Sequence, residues 1–149
     1  IVTNMILEWV RKNNAPADMK ITVCGLAFKG RPETDDLRGT PAKLIIAALR
    51  DAFPKSRVFG QDFAASDPDV ATLGVEPVSI EDAFKDSTVV VIANNHLGYS
   101  RINYGELARE MADPGLIFDC WDCISAEGQD FSDTVTYLRF GSVRNWSKA

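Results

Sequence analysis

Apolar and polar positions alternate along this chain in a way that divides it into strands and helices taking turns. Val2, Ile6, Trp9 and Val10 fall at i, i+4, i+7 and i+8, which predicts one apolar face of a helix over residues 2–12, stopped by Asn13, Asn14 and Pro16. Lys20 to Cys24 reads as a buried strand ended by Gly25. The next helix runs from Pro41 to Phe53. Thr40 is a good N-cap, Pro41 suits the first helical position because its missing N–H costs nothing there, and Leu44, Ile45, Ala48, Leu49 and Phe53 give the apolar face. Arg57 to Phe59 is a short second strand ending near Gly60 and Asp62, and residues 63–77 read as irregular. Ser79-Ile80-Glu81-Asp82 is a capping box with Asp in place of the usual Glu, and it opens a short helix.

Thr88 to Ala93 is the strongest strand, since Val89 to Ile92 run without a polar break, the mark of a sheet covered on both faces. Asn103 caps a helix through Met111, and Asp113-Pro114-Gly115 ends it. Leu116 to Phe118 and Thr134 to Phe140 supply two more strands. This order predicts an α/β, Rossmann-like, three-layer domain with a mostly parallel sheet and helices on both faces. Ligands of such sheets sit at the carboxyl ends of the strands. That places Gly25 to Thr40, Gly60 to Ala64, Asn94 to Ser100 and Asp119 to Ser125 on one rim.

Composition narrows the function classes. At 149 residues the chain fits one domain with a proper core, and 46% hydrophobic with 25% charged residues is ordinary for a globular protein. A net charge of -5 and a pI of about 4.8 argue against nucleic acid or an anionic membrane as partner, since both need a basic face. No apolar run approaches a membrane span and no signal peptide opens the chain. The first residue is Ile1 rather than Met, which reads as a chain cut from a longer one. Three cysteines, an odd count with no secretory signal, point to a reduced, cytoplasmic setting.

Chemistry concentrates in the stretch of about fifteen residues between the first strand and the Pro41 helix, where strand-to-helix loops usually run 2–6 residues. It holds Phe28, Lys29 and Arg38, and it ends at a helix N-terminus with free N–H groups and partial positive charge. Phosphate is the natural guest for two cations there, and Phe28 can wall a pocket for a ring. The other reading is a surface loop whose cations pair with Glu33, Asp35 and Asp36. With Gly25 alone, the loop is neither a G-x-G-x-x-G fingerprint nor a Walker loop.

Gly25-Leu26-Ala27-Phe28-Lys29, Asp35-Asp36-Leu37-Arg38 and then Thr40-Pro41 resemble the signature of the C-terminal, UDP-binding domain of the UDP-glucose/GDP-mannose dehydrogenase family. Asp62 after the second strand, His96 after the strongest one, Asp119 ending the next and a Tyr137…Gly141 pair agree in order, so the likeness covers roughly residues 18–141. The resemblance implies a nucleotide-sugar-binding domain of an NAD-dependent 6-dehydrogenase that turns a UDP-sugar into a UDP-uronic acid in polysaccharide biosynthesis. Phe28 and Lys29 would contact the nucleotide sugar, and Arg38 the NAD pyrophosphate. NAD itself would be bound mainly by an upstream domain that also carries the catalytic Cys, leaving no catalytic residue in this chain. Residues 1–17 would be the end of an interdomain helix and linker used for homodimerisation, and 18–149 the binding domain. The sequence departs from the family in two places. Trp121 stands where the family has the Arg of Asp-Gly-Arg, and Arg139-Phe140-Gly141-Ser142 replaces Gly-Ile-Gly-Arg. Both departures suggest an altered substrate, or another cation such as Arg144 in service.

The remaining motifs read more plainly. Cys120-Trp121-Asp122-Cys123 is a C-x-x-C, read either as a redox pair or as two incidental thiols at a strand end. Half of a zinc site would lack partners, so no metal is expected. Cys24 packs as a small hydrophobe in its strand. His96 is either a base on the rim or part of a polar turn with Asn94 and Asn95. Trp9 and Trp146 read as packing or interface residues. Two alternatives to the dehydrogenase reading follow: a non-catalytic Rossmann-like binding module, and a thiol redox protein using Cys120 and Cys123.

Overall fold

The structure, a computed structural model, describes residues 1–124 and 132–139. In these residues the chain runs α1 (Val2–Asn13), β1 (Lys20–Cys24), α2 (Pro41–Ala52), β2 (Arg57–Gln61), α3 (Asp67–Ala71), β3 (Glu76–Pro77), α4 (Ile80–Phe84), β4 (Val89–Ile92), a 3₁₀ turn (Leu97–Ser100), α5 (Tyr104–Arg109), β5 (Gly115–Asp119) and β6 (Val135–Arg139). Six strands form one sheet in the order β3-β2-β1-β4-β5-β6, and all five pairings are parallel. The Rossmann-like expectation holds, with the direction reversal of the strand order between β1 and β4.

Period-two alternation sorts the strand side chains into two cores. Ile21, Val23, Val89, Val91, Leu116, Phe118 and Leu138 face one side, where Ile6 and Trp9 of α1, Ile46 and Leu49 of α2 and Val70 of α3 cover them. Cys24, Val90, Ile92, Ile117, Val135 and Tyr137 face the other, under Phe84 of α4, Tyr99 of the 3₁₀ turn, and Tyr104 and Ala108 of α5. Trp9 is therefore a packing residue, while Trp146 lies outside the described residues. Cap chemistry sets the helix starts as expected. Thr40 Oγ1 accepts from the Ala42 amide at 3.2 Å, Ser79 Oγ from Asp82 at 3.1 Å and Asn103 Oδ1 from Glu106 at 3.2 Å.

One expectation is corrected. Residues 63–77 are not irregular throughout, because they hold α3 and the edge strand β3. Ser66 Oγ accepts from the Asp69 amide at 3.3 Å, Pro68 stands in the first turn beside Asp67 and Asp69, and Val70 is buried. A five-residue helix and a two-residue strand are too short to show a period, although the Ser-Asp-Pro-Asp start was readable.

Candidate functional site

The loop after β1 is built by backbone docking. Gly25 has φ +86°, and a Cβ there would lie 2.7 Å from the Asn94 backbone nitrogen, so only glycine lets β1 turn this close to the end of β4. Asp62, just past β2, holds the turn. One carboxylate oxygen accepts from the Leu26 and Ala27 amides at 2.8 and 3.1 Å, the other from Ala64 and Ala65 at 2.9 and 2.8 Å. Four donors fill its accepting positions. The loop then folds on itself through Phe28 N–H to Asp36 O at 2.6 Å, and the Phe28 ring, half exposed, lies beside Gly39.

The three expected site residues lie along one loop, each in a different setting. Arg38 is 92% exposed, and its charge is already met: Nε donates to Asp36 Oδ1 at 3.0 Å and Nη2 to Asp36 Oδ2 at 2.9 Å. The Arg38 hydrogen bonds hold the Asp36 carboxyl down to about 2. This pair is the surface-loop alternative realised at Arg38. An open cleft of ≈ 460 Å³ beside it is lined by Asp36, Arg38, Lys43 of α2 and Asp69 of α3 among others, and Phe28 and Lys29 do not line it. Lys29 is exposed and has no ion-pair partner among the described residues.

The middle of the loop carries contacts that sequence reasoning did not single out. Gly30 N–H donates to Asn95 Oδ1 at 3.2 Å, and Arg31 Nε donates to the Asn95 carbonyl at 2.8 Å. His96 joins the first loop to the turn after β4. Its Nε2 pairs with Glu33, its Nδ1 accepts from the Gly98 amide at 2.9 Å, and its ring lies 5.1 Å from that of Phe63. Both ring nitrogens are thus engaged within the chain, which fits the polar-turn reading. The Asn94-Asn95 doublet was the readable signal for this docking, as buried or half-buried amides at a strand end need partners.

At the far side of the rim, Asp119 is buried and organises the β5 exit. Oδ1 accepts from the Trp121 amide at 3.0 Å, and Oδ2 accepts from Ile124 at 3.0 Å and from the Tyr137 hydroxyl at 2.7 Å. Trp121 is 54% exposed, with Nε1–H donating to the Ala93 carbonyl at 3.0 Å. Asp122 pairs with Arg139. Cys120 and Cys123 pack against the two different cores. Burial first, then the Asp119 charge, pushes each thiol up to about 12, with the Arg31 charge opposing the shift at Cys123. All three cysteines are free thiols, and burial also raises Cys24. This is the opposite of an activated redox pair. Ser125, Phe140, Gly141, Ser142 and Arg144 lie outside the described residues. Among the described residues, no group of three or more His, Cys, Asp or Glu stands together as a metal cage, and no helix is long and apolar enough to cross a membrane.

Residues 22–126 match the family model described as the UDP-glucose/GDP-mannose dehydrogenase family, UDP binding domain. The UDP-N-acetyl-D-mannosamine dehydrogenase of Pyrococcus horikoshii is 29% identical over 108 residues, which are 72% of this chain and 23% of that protein. The solved structure of UDP-D-ManNAc dehydrogenase from the same organism superposes with a TM-score of 0.72 at 25% identity, over 93% of this chain and 29% of that one. The UDP-N-acetyl-mannosamine dehydrogenase Cap5O of Staphylococcus aureus superposes with a TM-score of 0.63 at 25% identity, over 98% and 31%. The chain thus spans between 23% and 31% of the length of these relatives.

Proposed function

The chain belongs to the UDP-glucose/GDP-mannose dehydrogenase family, and from that membership we propose that it is the nucleotide-sugar-binding C-terminal domain of an NAD-dependent 6-dehydrogenase converting a UDP-sugar to a UDP-uronic acid. The observation that carries this reading is the family match over 22–126, which includes the whole Gly25–Pro41 loop on the carboxyl rim of the sheet. Phe28 and Lys29, both exposed at that rim, contact the nucleotide sugar. Arg38, held by Asp36 at the outer side of the loop, reaches the pyrophosphate of NAD carried by an upstream domain.

The residues present do not fit a dinucleotide of this domain's own. The first turn lacks G-x-G-x-x-G, and Asp62, the acidic residue placed to meet a ribose, has its oxygens filled by four amides. Hydride chemistry, the nucleophilic Cys and most proton transfers therefore belong upstream, and this chain contributes binding and orientation. In this reading residues 1–17 continue an interdomain helix that brings two copies together. The whole enzyme is cytoplasmic and feeds polysaccharide synthesis. The non-catalytic module reading draws on Trp121, where the family's Arg is missing. Titration of the chain with UDP, GDP and UDP-sugars, followed by calorimetry or NMR shifts, tests the proposal, with Lys29→Ala and Arg38→Ala beside it. Saturable UDP binding weakened by Lys29→Ala is expected. Absence of nucleotide binding, or binding that neither change alters, overturns the assignment.

A further inference from the structure

Three consecutive backbone carbonyls at the tip of β4 each accept from a side chain of a different position on the rim. Ala93 takes the Trp121 Nε1–H at 3.0 Å, Asn94 takes the Cys123 thiol at 3.6 Å, and Asn95 takes Arg31 Nε–H at 2.8 Å. The Arg31 guanidinium is thereby fixed through its inner nitrogen. Its two terminal nitrogens have no partner among the described residues. That leaves a fork of N–H groups free at an exposed position, the geometry that takes two oxygens of one phosphate.

Five carboxylates of the rim already have partners. Glu33 pairs with His96, Asp36 with Arg38, and Asp122 with Arg139, while Asp62 and Asp119 are filled by amide and hydroxyl donors. Arg31, unlike Arg38, makes no ion pair among the described residues. The Trp121 ring, anchored two carbonyls away and 54% exposed, offers an aromatic face beside the same tip.

We propose that Arg31 is the binding residue that receives an oxyanion of the ligand, a phosphate of the nucleotide diphosphate, in a subsite at the β4 tip whose wall is the indole of Trp121. The inference rests on the nucleotide reading above for the identity of the ligand, and it adds a cation which that reading does not include. It also accounts for a basic residue being dispensable at position 121: the charge on this rim comes from the first loop, and the β5 exit supplies a ring instead.

The test uses the 149-residue chain with three probes: inorganic pyrophosphate, UDP and uridine. Binding is read by calorimetry and by tryptophan emission. Arg31→Ala should weaken pyrophosphate and UDP by roughly tenfold or more while leaving uridine unchanged, and Arg31→Lys, which keeps the charge but loses the fork, should recover only part of that loss. Lys12→Ala on α1 controls for net charge and should change nothing. Thermal melts of each variant check the fold, and Arg31→Gln serves if Arg31→Ala melts early. UDP bound equally by the wild type and by a folded Arg31 variant overturns the inference and leaves the nucleotide reading standing. Pyrophosphate that depends on Arg31, with UDP binding no better than pyrophosphate, supports the oxyanion subsite and overturns the nucleotide reading. If neither anion binds, both fall.

Discussion

Gly30→Ala is the sharpest perturbation of the rim, because the added methyl meets backbone rather than a side chain. A Cβ at position 30 would lie 2.0 Å from the His96 nitrogen, 2.5 Å from His96 Cα and 2.6 Å from the Asn95 carbonyl carbon. Ordinary contact begins near 3.4 Å, so the two loops must separate by about 1.4 Å. The φ of Gly30 lies outside the left-handed region, and the cost is therefore collision alone rather than backbone conformation. Such an opening carries the Arg31 Nε bond to Asn95, 2.8 Å, and the Gly30 N–H bond to Asn95 Oδ1, 3.2 Å, past hydrogen-bond range. Two lost bonds and the residual overpacking together cost ~2–4 kcal/mol, a fall in Tm of roughly 5–15 °C for a domain of this size. The same opening releases Arg31, so UDP affinity should drop as far as in Arg31→Ala. Thermal unfolding and calorimetric titration of one preparation give both readouts. A variant with wild-type melting and wild-type UDP affinity would refute the docking of the first loop on the β4 tip.

Three further outcomes follow from the same contacts. The Asp36 carboxyl, held at about 2 first by its Arg38 side-chain bond, contributes fully above the ordinary carboxylate pKa of ~3.9 and loses that contribution as pH falls through 2. A carboxyl NMR titration should find its midpoint near 2, and Arg38→Ala should move it up toward the ordinary range; an unmoved midpoint contradicts the pairing. With their thiols pushed up to about 12, Cys120 and Cys123 carry a thiolate fraction of only ~1 in 10⁴ at pH 8. Alkylation of the folded chain should be slow at both, and mild oxidant should leave them unlinked; a rapid internal disulfide would revive the redox reading. Asp119→Asn replaces an acceptor of the bonds from Ile124 and Tyr137 by a competing donor, which should cost ~2–3 kcal/mol in chemical denaturation, and a stability change under 0.5 kcal/mol would discount its role at the β5 exit.

What the sequence disclosed and what it hid divide along the range of the interactions. The start of α2 was legible because Thr40 and Pro41 act within one helical turn, and the strands were legible because Val89 to Ile92 announce burial on both faces by composition alone. The first loop was legible as a candidate site through its length and its resemblance, and its cations were counted by type. Which of them is free was not legible. Arg38 finds Asp36 two residues away, a pairing that competes with any ligand, whereas Arg31 is set by an Asn95 carbonyl 64 positions on. His96 looked like a candidate base because it follows the strongest strand, and only tertiary contacts with Glu33 and Gly98 occupy its nitrogens. The C-x-x-C invites pairing by spacing, yet the two thiols rest on different cores.

The topology gives these contacts a common cause. Strand order reverses between β1 and β4, and the crevice at such a reversal is where an open α/β sheet receives a dinucleotide. Here the mouth of that crevice is closed by the chain itself. Gly25 packs on Asn94, Gly30 packs on His96, and Asn94 Oδ1 accepts from the His96 amide at 3.1 Å, so loop meets loop across the switch point. In the proposed reading the ligand therefore sits on the outer surface made by the first loop, the β4 tip and the β5 exit. There the proposal has it meet the exposed side chains of Phe28, Lys29, Arg31 and Trp121 rather than helix-terminal amides, in keeping with the absence of a glycine-rich fingerprint after β1. An outward-facing surface of this kind also needs a second wall to exclude water. In the proposed reading that wall comes from the upstream domain, and the chain spans under a third of the length of these relatives.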